Sequence, residues 1–230
     1  MRPAAVKAMR INSVIFDLDG TLVDSADGIL ASFAAAFEHC DRTPVQALGP
    51  HIIGPPLLPT LCLLAGTDEA SVLDPLAAAF KAHYDSAGFR ETRVYPGVDA
   101  MLKKLAPTQL QLYIATNKRQ LPTGRIIDHL QWRPYFQAIY SLDSPRPALP
   151  SKGALIQHLL HAHGLPAAAT LYVGDRDDDA VASAQAGTPF FHATWGYEGS
   201  QSAYALGGDI TQLLSLLARK RSPGGFISMR

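Results

Sequence analysis

The sequence predicts an α/β fold with a mainly parallel sheet, interrupted after its first strand by a helical insertion. Three observations predict it. Short apolar runs alternate with helix-length amphipathic segments, residues 24–92 carry no strand signal, and an acidic turn, Asp17-Leu18-Asp19-Gly20-Thr21, follows the first apolar run directly. Strands and helices in alternation pack as a parallel sheet with crossover helices.

Residues 11–16 (INSVIF) are apolar and rich in β-branched side chains, which marks a buried strand. Runs at 110–115 (LQLYIA), 137–141 (QAIYS), 169–173 (ATLYV) and 189–193 (PFFHA) predict the other strands. Helices are predicted between them at about 98–105, 120–131, 152–163 and 178–186. The second carries Ile126, Ile127 and Leu130 on one face, and the third Leu155, Ile156, Leu159 and Leu160.

In the insertion, Ile29, Phe33, Phe37 and Cys40 recur at helical spacing, with Asp24 or Ser25 as the cap. Asp74-Pro75 predicts an N-cap and first helical position ahead of Leu76 and Phe80, and the prolines and glycines of residues 49–60 predict a bend. Helices inserted here would form a lid over the end of the first strand, and Tyr95-Pro96-Gly97 returns the chain to the sheet. The expected division is therefore a core of 11–23 and 93–218, a helical cap of 24–92, and frayed tails at 1–10 and 219–230.

Composition narrows the function. Apolar residues make up 47% and charged residues 17%, which suits a folded globular chain rather than a disordered one. Twenty basic and twenty acidic side chains balance, so no broad field for a nucleic acid polymer or an anionic membrane is expected. No apolar run approaches the ~18 residues that span a bilayer. The first ten residues are too short and too charged for a secretory signal, so the expected location is the cytoplasm. Cys40 and Cys62 lack metal-site spacing and are expected to be small packing residues.

The chemistry concentrates in two acidic turns. Alternation along an extended chain lets Asp17 and Asp19 face one side while Leu18 packs away, and Gly20 allows a sharp turn against a ligand. Ligands of open parallel sheets collect outside the carboxyl ends of the strands, where this pair lies. Four specified residues of such a turn would match by chance about once in 10⁵ positions, so coincidence is outweighed.

The second turn, Gly174-Asp175-Arg176-Asp177-Asp178-Asp179, follows another predicted strand. Asp177 and Asp178 are expected only to complement a helix dipole, whereas Asp175 and Asp179 are candidate site residues. Two carboxylates 4 Å apart repel by about 4 kcal/mol at an effective dielectric of ~20, so converging acids call for a cation. Oxygen ligands without nearby His or Cys point to Mg²⁺ rather than zinc. Thr116-Asn117 ends the strand LQLYIA, where a hydroxyl and backbone N–H groups could hold a phosphate oxygen, and Lys152 at a helix start could add positive charge.

This set resembles the haloacid dehalogenase superfamily: DLDGT, a Thr after the next hydrophobic strand, a downstream Lys, and Gly-Asp with an Asp four residues later. Asp24-Ser25, Gly54-Pro55-Pro56, Tyr95-Pro96-Gly97 and Thr194-Trp195-Gly196-Tyr197 resemble its phosphoglycolate phosphatase-like branch. The resemblance covers about residues 11–218 and implies a Rossmann-like core, a small helical cap and a Mg²⁺-dependent phosphatase acting on a small phosphorylated substrate. It implies that Asp17 attacks phosphorus and ligates Mg²⁺, and that Asp19 protonates the leaving oxygen and then activates water, its carbonyl also binding the metal. Thr116, Asn117 and Lys152 would hold the phosphoryl group, Asp175 would complete the metal site, and Asp179 would orient Lys152 or metal-bound water.

The usual Lys-Pro-x-Pro pattern is absent, with SPRPALPSKGAL in its place, and Lys152 is taken for this role over its rival Lys118, which directly follows the Thr-Asn pair and is expected to point elsewhere. Arg42, His51 and loop 52–58 are candidates for gripping a leaving group. A 5′-nucleotidase, a pyrophosphatase or a sugar-phosphate mutase would share these motifs. A catalytically silent binding module is the competing class, disfavoured because all four acids are present.

Overall fold

The computed structural model describes residues 11–197 and 206–218. Its elements run β1 (Ser13–Phe16), β2 (Val23–Asp24), α1 (Ala26–His39), α2 (Leu57–Ala65), α3 (Ala70–Ser86), β3 (Arg93–Val94), α4 (Val98–Leu105) and β4 (Gln111–Thr116). They continue with α5 (Gln120–His129), β5 (Ala138–Ser141), α6 (Lys152–Ala162), β6 (Thr170–Gly174), α7 (Asp177–Ala186), β7 (Phe190–Ala193), β8 (Gly207–Gly208) and α8 (Ile210–Ala218). The expected tails 1–10 and 219–230 lie outside the described residues.

Six strands form one sheet in the order β5-β4-β1-β6-β7-β8, with every pair parallel. This is the α/β fold that the alternating runs predict. β1 sits inside, with Phe16 opposite Ile114 of β4 and Val173 of β6, and all four of its residues are buried. Burial on both faces explains why these strands read as continuous apolar runs rather than alternating ones. One side is packed by Val98, Met101, Leu102 and Leu213, the other by Leu155, Ile156 and Leu159.

The helices between β1 and α4 make a cluster of their own, in which Ile29, Phe33 and Phe37 of α1 meet Leu73, Leu76, Phe80 and Tyr84 of α3. The two-residue strands β2 and β3 pair antiparallel at the point where the chain leaves and re-enters. They are too short to give a periodic signal.

Two local expectations are corrected. α3 begins at Ala70, so Pro75 lies inside it rather than at its first turn. Leu73, Leu76, Ala77 and Phe80 bury one face while Pro75 stays exposed, so packing carries the helix through and the carbonyl that loses its partner can be solvated. At the start of α1, Asp24 Oδ1 accepts the Ala26 N–H (3.0 Å), but Ser25 does no side-chain capping. Its hydroxyl is used by the acidic turn instead.

Candidate active site

The acidic residues gather at the carboxyl ends of β1 and β6, two neighbouring central strands. Asp17 immediately follows β1 and Asp175 follows β6, while Asp179 stands one turn into α7. One carboxylate oxygen from each lies within 4.8 Å of the others, and all three residues are buried. Gly20 turns the chain at φ 84°, and a side-chain carbon there would sit 2.3 Å from Asp175 Oδ2. Only glycine fits this approach.

Each acid is held differently. Asp175 accepts from Thr21 Oγ1 (3.1 Å) and from the Tyr197 N–H (3.0 Å). Asp179 accepts from Lys152 Nζ (2.6 Å), from the Tyr172 hydroxyl (3.3 Å) and from the Arg176 N–H (3.2 Å), the last closing a capping box on α7. Lys152 opens α6, whose N-cap Ser151 accepts the Ala154 N–H, and its ammonium also lies 3.0 Å from Asp17 Oδ2. Asp17 Oδ1 is buried without a hydrogen-bond partner.

The electrostatics show a cluster short of positive charge. Burial, then Asp179 and Asp19, raise the Asp17 carboxyl from its ordinary 3.8 to about 7 despite Lys152. Burial, Asp179 and Asp17 raise Asp175 to about 8. Burial disfavours the charge on Lys152, but Asp17 and Asp179 outweigh it and hold its ammonium above the ordinary lysine range. Asp17, Asp19, Asp175 and Asp179 face two ammonium groups, Lys152 and Lys118. With all four carboxyls ionised, four negative charges against two positive ones would leave two unbalanced. A divalent cation would supply that balance, and the unpartnered Asp17 Oδ1 offers it a ligand.

Asp19 stands apart from this trio. Its carboxylate accepts from Lys118 Nζ at 2.9 and 3.0 Å and from Ser25 Oγ at 2.5 Å. Lys118 therefore does not point elsewhere: it is buried, and its ammonium lies 4.7 Å from the centre of the Tyr84 ring on α3. No local pattern announces this contact, because Asp19 is 99 positions away.

Thr116 is buried at the end of β4, and its Oγ1 accepts the Lys118 N–H (3.2 Å). The Asn117 side chain turns toward the inserted helices and donates from Nδ2 to Gly54 O (2.9 Å). Arg42 is exposed on a separate groove beside His39 and Ser71, and His51 is exposed too. Ile52, Ile53 and Gly54 of the candidate loop do line the cavity next to Asp19. Asp177 and Asp178 are exposed at the start of α7, as expected of dipole partners.

A family model described as haloacid dehalogenase-like hydrolase matches residues 14–193. The chain belongs to that family. Among similar proteins, a 5′-nucleotidase of Pseudomonas aeruginosa is 34% identical over 194 residues, covering 83% of this chain and 86% of that protein. A phosphoglycolate phosphatase of Rhodobacter capsulatus is 31% identical, covering 80% and 85%. A tyrosine-protein kinase PtkA of Mycobacterium tuberculosis is 33% identical, covering 80% of this chain and 62% of that protein. The crystal structure of a predicted phosphatase from Clostridium acetobutylicum superposes with a TM-score of 0.80 at 27% identity, covering 91% and 99%.

Proposed function

We propose that this phosphatase-type hydrolase releases phosphate from a small phosphomonoester through a phosphoaspartyl intermediate on Asp17, with Mg²⁺ as cofactor. The observation that carries the proposal is the buried Asp17 carboxylate, one oxygen without a partner and the other beside Lys152, at the carboxyl end of a central parallel strand. Names such as 5′-nucleotidase and phosphoglycolate phosphatase among the relatives support the reaction class.

In the first step an Asp17 oxygen bonds to phosphorus as the bond from phosphorus to the leaving oxygen breaks, and Asp19 gives that oxygen its proton. In the second, Asp19 takes a proton from a water that attacks phosphorus, and Asp17 is released. Asp19 thus ends with the proton count it began with. Separate surroundings for the two acids suit separate roles: Asp17 shares Lys152 with Asp179, whereas Asp19 has Lys118 and Ser25.

Lys152, the Thr116 hydroxyl and the Asn117 backbone N–H would bind the phosphoryl oxygens, and Asp179 would hold Lys152 in place. Asp17, Asp175 and the carbonyl of Asp19 would hold Mg²⁺, which when bound neutralises phosphoryl charge and orients the group for in-line attack. Residues 24–92 would act as a cap that excludes water from this centre.

The test is phosphate release from an aryl phosphate and a panel of phosphomonoesters, with Mg²⁺ and with EDTA, for wild type and Asp17→Asn. Release that needs Mg²⁺ and disappears in the variant is the expected result. Release that survives both treatments would contradict the proposal.

A further inference from the structure

The cavity that opens from Asp19 is roofed by the inserted helices, and its walls are mostly apolar. Ile29, Phe33, Ile52, Ile53, Phe80 and Tyr84 line it on the side of the insertion. No basic residue among the lining residues comes from that side. The two cations that do line it, Lys118 and Arg119, come from the sheet side, and each faces a carboxylate. Lys118 meets both oxygens of Asp19, and Arg119 meets both oxygens of Asp85, one at 3.0 Å.

A leaving group that carries a carboxylate would therefore enter a space whose described lining is largely apolar and whose two cations it would share with Asp19 and Asp85. Much of its lost hydration would go uncompensated. A neutral ring would lose nothing of the kind and would bury its faces against Phe33, Phe80 and the aliphatic walls. One polar feature adds direction. Asn117 lines the same cavity, commits Nδ2 to Gly54 O, and keeps Oδ1 buried without a hydrogen-bond partner. A carboxamide oxygen can only accept, so the group that satisfies it is a donor on the ligand.

We propose that this site selects phosphomonoesters whose leaving group is a neutral aromatic or heteroaromatic moiety bearing an N–H or O–H donor, and that it rejects leaving groups carrying a carboxylate. The inference rests on the proposed phosphatase reading, because it takes Asp19 as the residue facing the leaving oxygen. Two sources share this chemistry, a substituted phenyl phosphate and a nucleoside monophosphate.

The experiment compares kcat/KM for a hydroxyphenyl phosphate, purine and pyrimidine nucleoside monophosphates, and phosphoglycolate, using the full chain. Asp17→Asn is run beside it, both for turnover and for binding of each ester by calorimetry. The expected result is a preference of about tenfold or more for a neutral aromatic ester over phosphoglycolate. The ranking of phenyl against nucleoside esters then identifies the source. Phe80→Leu, which removes the ring that meets Phe33 and Tyr84 but keeps an aliphatic side chain there, is expected to raise KM for the preferred ester several-fold with a smaller change in kcat. Asn117→Asp, which keeps the shape and places a negative charge beside the ligand, is expected to weaken binding of phosphoglycolate further.

Preference for phosphoglycolate, with turnover still dependent on Asp17, would overturn this inference and leave the phosphatase reading intact. Turnover independent of Asp17, or none on any ester, would overturn both.

Discussion

The floor and the roof of the site are built on opposite principles. The floor, at the ends of β1, β4 and β6, packs four carboxylates and two ammonium groups into buried positions at high electrostatic cost. The roof, made by α1, α3 and the loop before α2, offers isoleucine, phenylalanine and tyrosine. Strained electrostatics are tolerated where charge must be stabilised during reaction, and apolar surface is placed where binding is to be selective. The contrast predicts that floor substitutions act on kcat and roof substitutions on KM.

The largest expected effect is that of Asp17→Asn, which keeps the shape but removes the proposed nucleophile. Phosphate release should fall by on the order of 10³-fold or more while the chain stays folded by circular dichroism. Lys152→Met should lower kcat by about 10²-fold in the same assay. Lys152→Arg should not restore it, because a planar guanidinium replaces a compact charge that reaches Asp17 and Asp179 at once.

Lys118→Met sharpens the comparison, since this residue joins floor to roof. It should lower kcat/KM by about tenfold, and it should destabilise the chain by about 3 kcal/mol in urea unfolding, because it leaves the buried Asp19 carboxylate without its cation. A loss confined to stability would mean that the contact serves packing alone.

The remaining expected effect is on stability against pH. Asp17 is raised from 3.8 to about 7 and Asp175 to about 8. Between roughly pH 4 and pH 8 the folded chain therefore holds protons that the unfolded chain has released, so metal-free stability should fall as pH rises through that window. Mg²⁺ needs ionised carboxylates, so the thermal shift it produces should be larger at about pH 8 than at about pH 6. Differential scanning fluorimetry with and without EDTA measures both.

Much of this was legible in the sequence because the signals are local. Fully buried strands such as Ser13–Phe16 and Thr170–Gly174 show as short, mostly apolar runs, and both acidic turns lie within a few residues of the strand that positions them. Lys152 was legible as a basic residue opening an amphipathic helix. What was not legible depends on contacts between distant positions. The Lys118–Asp19 pair spans 99 residues, and the Asn117–Gly54 bond spans 63.

Pro75 misled because a proline reads as a helix start, yet the apolar face from Leu73 to Phe80 carried the helix through it. Arg42 is a candidate in the sequence for gripping a leaving group, while Ile29 and Phe33 recur there at helical spacing. The cavity uses that face and not the arginine.

The central claim is tested most directly by trapping the covalent intermediate. Protein mixed with an excess of a reactive aryl phosphate and Mg²⁺ is quenched in acid during turnover, digested and analysed by mass spectrometry. The account predicts a phosphate adduct on the peptide carrying Asp17, absent from Asp17→Asn. Steady phosphate release with no adduct on that peptide, or with the adduct on another residue, would contradict it.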